Sequence, residues 1–304
     1  MAQGGVVTVQ IEHRILGKTG VRVSVIGLGT GAFGFGKLER GVGAGIVRRA
    51  LELGITYLDT AHYYETELMV GDGIAGERER VFVATKTAKR NRRTAEEDLK
   101  LSLKQLGTDY VDLWLMHCVN TIADVDALIA PGGPLDLASE AKRAGQVRFI
   151  GMTGHARPNV LAYALERYPL DVVMPALGMI DTLVTGPEHS LLPAVRRLDC
   201  GLVAMKVLGN GALAGEHSAA IRHALELGAH TAVVGVQSEA EVEQAAAVGV
   251  APLPLNPDER RRLAALAGRQ VARREGCPFW PGDTQVIALE PGWKGGVEMV
   301  LPTA

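Results

Sequence analysis

Three apolar runs in this chain each end in one ionisable residue and then break. They are Ile-Thr-Tyr-Leu-Asp59, Val-Phe-Val-Ala-Thr-Lys86 and Val-Asp-Leu-Trp-Leu-Met-His117. Tyr64 follows Asp59 by five residues, in the loop or first turn of the next helix. A free phenol, with a pKa of about 10, is a poor acid at neutral pH. A lysine ammonium beside it favours phenolate and is expected to lower that value. Asp59 paired with Lys86 would hold the ammonium charged and in place. An imidazole such as His117 can donate a hydrogen bond to the oxygen being protonated. Each residue alone has a plainer reading: Asp59 as a helix cap, Lys86 as a rim salt bridge, His117 as a satisfied core histidine. Three successive strand ends carrying them together are not explained by packing.

Composition narrows the class. The chain has 304 residues, 47% hydrophobic and 22% charged, enough to bury a large core. A formal charge of -2 and a pI near 6.5 give no sign of nucleic acid or an anionic membrane as partner. Cys118, Cys200 and Cys277 are widely spaced, show no metal-ligand pattern, and read as thiols in a reducing compartment. No apolar run reaches the ~18 residues of a membrane span. The N-terminus lacks the features of a signal peptide, so a cytoplasmic location is expected.

The elements that must position these residues alternate along the chain. Val6–Arg14 and Val21–Ile26 flank the turn-like Gly-Lys-Thr-Gly and read as a hairpin plus the first core strand. Gly27 to Gly45 is glycine-rich and reads as a long loop, followed by a short helix over Ile46–Leu53. Thr94 and Glu97 have capping-box spacing at the start of a helix. Eight strand–helix units of similar length predict a (β/α)8 TIM barrel of α/β class, with its active site at the C-terminal ends of the strands. Asp59, Lys86 and His117 would end strands two, three and four and face one mouth. The expected organisation is a single domain over residues 1–304. Its core covers about 12–250; an extra C-terminal helix (Pro257–Arg274) and an irregular tail complete 251–304. Gly29-Thr-Gly31-Ala-Phe-Gly34 is a literal G-x-G-x-x-G after a strand. The glycines that follow it, and the lack of a matching acidic residue, favour a βα loop over a dinucleotide fold.

The motifs follow one another as in a known family. Gly-Leu-Gly-Thr (27–30), Gly-Ile-Thr-Tyr-Leu-Asp-Thr-Ala-x-x-Tyr (54–64), Ala-Thr-Lys (84–86), Asp-Tyr-Val-Asp-Leu-Trp-Leu-Met-His (109–117) and Gly-Gln-Val-Arg-Phe-Ile-Gly (145–151) make a chain that resembles the aldo-keto reductases over roughly residues 12 to 250. The resemblance implies a barrel whose base is closed by the N-terminal hairpin, and reduction of an aldehyde or ketone to an alcohol. It also implies a nicotinamide cofactor extended across the mouth, NADP(H) by family habit with NAD(H) admissible. Asp59, Tyr64, Lys86 and His117 then occupy the catalytic positions. The implied cofactor contacts are Gly29, Thr30, Asp59, Thr153, Gly154, Met174, Met205, Lys206, Leu208, Gly209, Gly211, Gly235, Gln237, Ser238 and Gln244.

Departures from the family pattern bear on that cofactor. Thr153-Gly154-His155 replaces the usual Ser-Asn, Met174 replaces a Gln, and Ala-Met-Lys-Val-Leu-Gly-Asn-Gly (204–211) replaces Ala-Tyr-Ser-Pro-Leu. His155 reads either as a ring-facing substitute or as a solvated loop residue. Residues 235–244 contain Glu239, Glu241 and Glu243 and no Lys or Arg, so a 2′-phosphate would rely on Ser238, the helix N-terminus or a distant arginine such as Arg273 or Arg274. Cys277 alone cannot build an iron–sulfur cluster. Phe279, Trp280 and Trp293 either cover the mouth or pack the last helix. Two other functions remain open on the sequence: a non-catalytic nicotinamide-binding sensor, and a Schiff-base lyase using Lys86 or Lys206.

Overall fold

Continuous apolar strands are stable only where both faces are covered, and a closed ring of parallel strands wrapped in helices covers them. The computed structural model, which describes residues 10–155, 157–273, 286–287 and 299–300, has this architecture. An antiparallel hairpin, β1 (His13–Ile15) and β2 (Arg22–Ser24), precedes the barrel and pairs His13 with Ser24. Then follow β3 (Ile26–Gly29), α1 (Gly31–Phe35), α2 (Arg40–Glu52), β4 (Tyr57–Asp59), α3 (Glu67–Gly73), β5 (Phe82–Thr87), α4 (Arg92–Leu106) and β6 (Val111–Met116). The second half runs α5 (Ile122–Ile129), α6 (Pro134–Arg143), β7 (Val147–Gly154), α7 (Pro158–Leu165), β8 (Val172–Pro175), α8 (Met179–Thr185), α9 (Leu191–Arg197) and β9 (Gly201–Ala204). It ends with α10 (His217–Glu226), β10 (Thr231–Gly235), α11 (Glu239–Val250) and α12 (Pro257–Arg273). Strands β3 to β10 form a closed parallel barrel, β10 pairing with β3, and two-residue strands Val286–Ile287 and Met299–Val300 pair antiparallel.

Strand parity decides which side chains face the barrel interior. Tyr57, Phe82, Ala84, Leu113, Leu115, Met174, Val203 and Val233 form one buried cluster, with the hairpin's Val23 and its neighbour Leu16 among them. Tyr57 stacks on Phe82 at 5.2 Å and Phe82 on Phe149 at 6.2 Å. Leu58, Val83, Trp114 and Met116 belong instead to the layer between strands and helices. Counting on by twos from Tyr57, Ala84 and Leu115 puts Asp59, Lys86 and His117 on the interior side of the C-terminal rim.

Two expectations are corrected here. The segment 27–45 is not a long loop: β3, the five-residue α1 and the start of α2 occupy it. Gly43 serves helix packing, since a Cβ there would meet Met69 Sδ at 2.5 Å. The cap of α4 is Asn91, whose Oδ1 accepts from the Arg93 and Thr94 amides; Thr94 lies inside the first turn and donates to the Asn91 carbonyl. Helix α8 was not anticipated. Val6–Val9, Arg274, Cys277, Phe279, Trp280 and Trp293 lie outside the described residues.

Candidate active site

Asp59 ends β4, and a 3-10 turn over His62–Tyr64 brings the phenol back over the same rim. The short helix α1 lies so close to this turn that a Cβ on Gly34 would overlap the Tyr64 carbonyl oxygen. Lys86, 1% exposed on β5, donates from Nζ to Asp59 Oδ2 and to the Thr60 carbonyl, both at 2.7 Å. The ammonium sits 4.8 Å from the centroid of the Tyr64 ring. The His117 ring stands edge-on to Tyr64 at 5.7 Å. The four residues are thus brought together. Asp59 and half-buried Tyr64 line the cleft at the mouth, and Lys86 and His117 are buried at its inner edge.

Burial dominates the electrostatics. The Lys86 ammonium is pushed down by desolvation, with Asp59 opposing, and the Asp59 carboxyl is pushed up by desolvation, with Lys86 opposing. Burial holds His117 well below the usual imidazole value, and the charge of Lys86 adds to that, so it is neutral at neutral pH. The Tyr64 phenol is held well above its ordinary value by desolvation and then by the Asp59 carboxylate. This reverses the expectation that Lys86 lowers it. The ammonium lies under the ring while its hydrogen bonds go to Asp59 and Thr60, so the phenol stays protonated.

The cleft measures about 570 Å³ and runs from Tyr64 and His155 past the ends of β8, β9 and β10 to the start of α11. Of the expected cofactor contacts, Gly29, Asp59, Met174, Met205, Lys206, Leu208, Gly211, Gly235, Gln237 and Gln244 line it. Thr30, Thr153, Gly154, Gly209 and Ser238 do not; they support its wall. Thr30 Oγ1 donates to the Asp59 carbonyl and Thr153 Oγ1 accepts from the Cys118 amide. Gly154 packs against the Val119 carbonyl, Gly209 donates to the Lys206 carbonyl, and Ser238 Oγ caps α11 through the Glu241 amide. Residues that sequence reasoning missed include Gly31, Ala32, Phe35, Asn210 and His217. Gly31 and Ala32 carried a local signal inside the glycine motif and Asn210 inside the 204–211 loop; Phe35 and His217 arrive through tertiary packing.

The cleft suits an extended dinucleotide. Its floor is backbone, because a side chain at Gly29 would collide with Val233, and Asp59 Oδ1 is a buried acceptor with no partner among the described residues. At the far end Glu241 Oε2 accepts from the Gln237 amide at 2.6 Å, while Glu243 is drawn away by Arg49 at 2.8 Å. The three glutamates therefore separate, and Glu241 is the one on the cleft.

Comparison with known proteins agrees with this geometry. The Aldo/keto reductase family matches residues 25–227. The chain is 31% identical over 228 residues to an L-galactose dehydrogenase of Arabidopsis thaliana, covering 67% of each chain. It is 29% identical over 218 residues to an uncharacterised oxidoreductase of Bacillus subtilis, again covering 67% of each. Among solved structures, the holo form of an aldo-keto reductase from Bacillus halodurans superposes with a TM-score of 0.73 at 24% identity, covering 84% of this chain and 96% of that one. A Bombyx mori aldo-keto reductase in complex with NADP superposes with a TM-score of 0.65 at 21% identity, covering 84% and 93%. These two establish likeness of fold. The chain belongs to the aldo/keto reductase family, and is an NAD(P)H-dependent oxidoreductase acting on small-molecule carbonyl compounds.

Proposed function

We propose that this protein reduces an aldehyde or ketone to an alcohol, with Tyr64 as proton donor and His117 as the hydrogen-bond donor that orients the carbonyl. The observation carrying this reading is the convergence of Tyr64, Lys86, Asp59 and His117 at one end of one cleft. The nicotinamide supplies the hydride when bound. Gly29, Met174, Met205 and the 206–211 loop would hold it, with Asp59 offering its unpaired oxygen. Tyr64 keeps its proton until negative charge grows on the carbonyl oxygen, and then releases it. The ammonium of Lys86 beneath the ring stabilises the phenolate that results, and Asp59 fixes the ammonium there. Neutral His117 has one N–H to give and no charge to lose. The buried Lys86–Asp59 pair tells against a Schiff-base role for that lysine, whose amine is already committed to two acceptors.

For the cofactor, NADP(H) is the first choice by family habit, with weak discrimination against NAD(H). Glu241 lines the cleft and already satisfies the Gln237 amide at the start of α11, so a 2′-phosphate would have to displace a carboxylate. The test is a screen of aldehydes and ketones, followed by loss of reduced-nicotinamide absorbance with NADPH and NADH at matched ionic strength. Sugar substrates are included in the oxidative direction because of the Arabidopsis relative's name. Turnover of at least one carbonyl is expected, with the two cofactors within about a hundredfold of each other in kcat/KM, a span of about 2.7 kcal/mol. Absence of turnover on any carbonyl or sugar would overturn the reading.

A further inference from the structure

Beside the catalytic His117, the inner end of the cleft holds two groups for which reduction has no use, Cys118 and His155. His117, Cys118 and His155 each present one ligand atom, and these atoms all lie within 4.8 Å of one another. We propose that they bind a single thiophilic divalent cation of the Zn²⁺ type, and that binding shuts off the reaction by taking His117. The metal site rests on these three side chains alone; only its effect on catalysis rests on the function proposed above.

The local backbone is what makes the set. Consecutive residues leaving a strand normally point to opposite faces. Cys118, however, has φ of 54°, a left-handed conformation rare outside glycine, directly after β6. That turn brings its sulfur to the same side as the His117 ring. The strain is held by several fixed contacts. The Cys118 amide donates to Thr153 Oγ1 at 3.0 Å, and Arg90 donates to the carbonyls of both His117 and Cys118, at 3.0 and 2.9 Å. From the end of β7, the His155 amide donates to Asn120 Oδ1 at 2.8 Å, and its ring lies 6.2 Å from that of His117. His117 is 3% exposed, and its Nδ1 has no hydrogen-bond partner among the described residues. Strained backbone retained against its cost points to function.

The donor set selects the ion. Two imidazoles and a thiolate suit Zn²⁺ or another borderline-soft metal, and offer nothing to the oxygen-seeking Mg²⁺ or Ca²⁺. Ligand atoms of a tetrahedral zinc site stand about 3.4–3.8 Å apart, as bond lengths of about 2.0–2.3 Å require. Rotation of side chains by about 1 Å would close the trio to that spacing. His155 lines the cleft, so the fourth position opens where the carbonyl would lie. Burial pushes the Cys118 thiol up to about 11, so the proton leaves the sulfur only as the metal displaces it.

Co²⁺, a spectroscopic stand-in for Zn²⁺, titrated into the full chain gives the test. A thiolate-to-cobalt charge-transfer band is expected, saturating at one ion per chain and abolished by added Zn²⁺. Cys118→Ser should lose that band, and its inhibition by Zn²⁺ should require at least about tenfold more metal, the smallest loss seen even for groups that only support a ligand. His155→Gln retains the sulfur, so its Zn²⁺ affinity should fall by at least about the same factor; it decides the matter if the serine variant does not fold. Absence of the band in the wild type, its survival in Cys118→Ser, or unchanged Zn²⁺ affinity in His155→Gln would overturn the proposal. The cobalt spectrum needs no turnover, so failure of the site is distinguishable from failure of the reductase reading.

Discussion

An ammonium as deeply buried as that of Lys86 stays in place only because Asp59 and the Thr60 carbonyl receive it. Desolvation outweighs the mutual attraction on both sides of this pair, so each partner is held away from its charged form as well as held by the other. Removing one partner leaves an uncompensated buried charge. Lys86→Met is expected to cost about 3–5 kcal/mol at neutral pH. The sign with pH follows from Asp59, whose folded pKa lies above its unfolded value and rises further without Lys86. Such a carboxyl destabilises the fold above the unfolded pKa, and the loss is recovered as pH falls to where Asp59 is neutral in both states. Chemical denaturation of Lys86→Met across pH, with the Asp59→Asn/Lys86→Met double variant restoring part of the loss at neutral pH, checks this. A pH-independent penalty would contradict it. At this scale the sequence was a good guide to which residues meet. It misjudged the phenol, because the sign of a pKa shift depends on where the ammonium sits relative to the ring, and spacing along a chain does not encode that.

The 3-10 turn His62–Tyr64 shows how one short element sets the proton donor. Below it, His62 Nδ1 lies 3.5 Å from the fully buried Glu67 carboxylate and Nε2 lies 3.7 Å from Asp98. Thr85 and Thr87, flanking Lys86 on β5, donate to the same two carboxylates at 2.6 Å. Glu67 chiefly, with help from Asp98, raises the His62 pKa. A raised folded pKa contributes stability that is complete below the unfolded value of about 6.5 and is lost as pH rises through the folded value. The wild type should therefore be more stable than His62→Gln at acid pH, with the gap in thermal midpoint closing as pH rises; a constant gap would refute the charge-based account. Above the turn, Gly34 leaves room for the Tyr64 carbonyl. Gly34→Ala must displace one or the other, and a shift of about 1 Å at a reacting group costs up to about a hundredfold in rate. The variant should lose kcat while keeping its melting temperature within a few degrees, as steady-state kinetics beside a thermal melt would show. The glycines of 27–45 misled as to secondary structure because they read locally as loop. Their tertiary role, close packing of α1 on the tyrosine turn and of α2 on α3, appears only when the elements meet.

The barrel as a whole was legible because its two periodicities are simple. Alternating strand and helix signals at even spacing give eight units, and counting by twos along β4, β5 and β6 turns Asp59, Lys86 and His117 inward. The far cleft was only partly legible. Gly235, Gln237 and Gln244 were found from their place after the last strand, whereas Phe35, Asn210 and His217 come from α1, the loop after β9 and the start of α10. Asn210 lies within the 204–211 loop already tied to the cofactor, but no local pattern ties Phe35 or His217 to a ligand, since the closed ring alone brings them to that wall. The account's central claim is that this ring assembles a proton donor from Tyr64, and not from its neighbour Tyr63, 6.5 Å away ring to ring. The direct measurement is kcat for carbonyl reduction in Tyr64→Phe and Tyr63→Phe, alongside cofactor affinity. Loss of at least about a hundredfold in Tyr64→Phe is predicted, the usual worth of a positioned general acid, with cofactor binding little changed and Tyr63→Phe close to wild type. Near wild-type turnover in Tyr64→Phe would contradict the account.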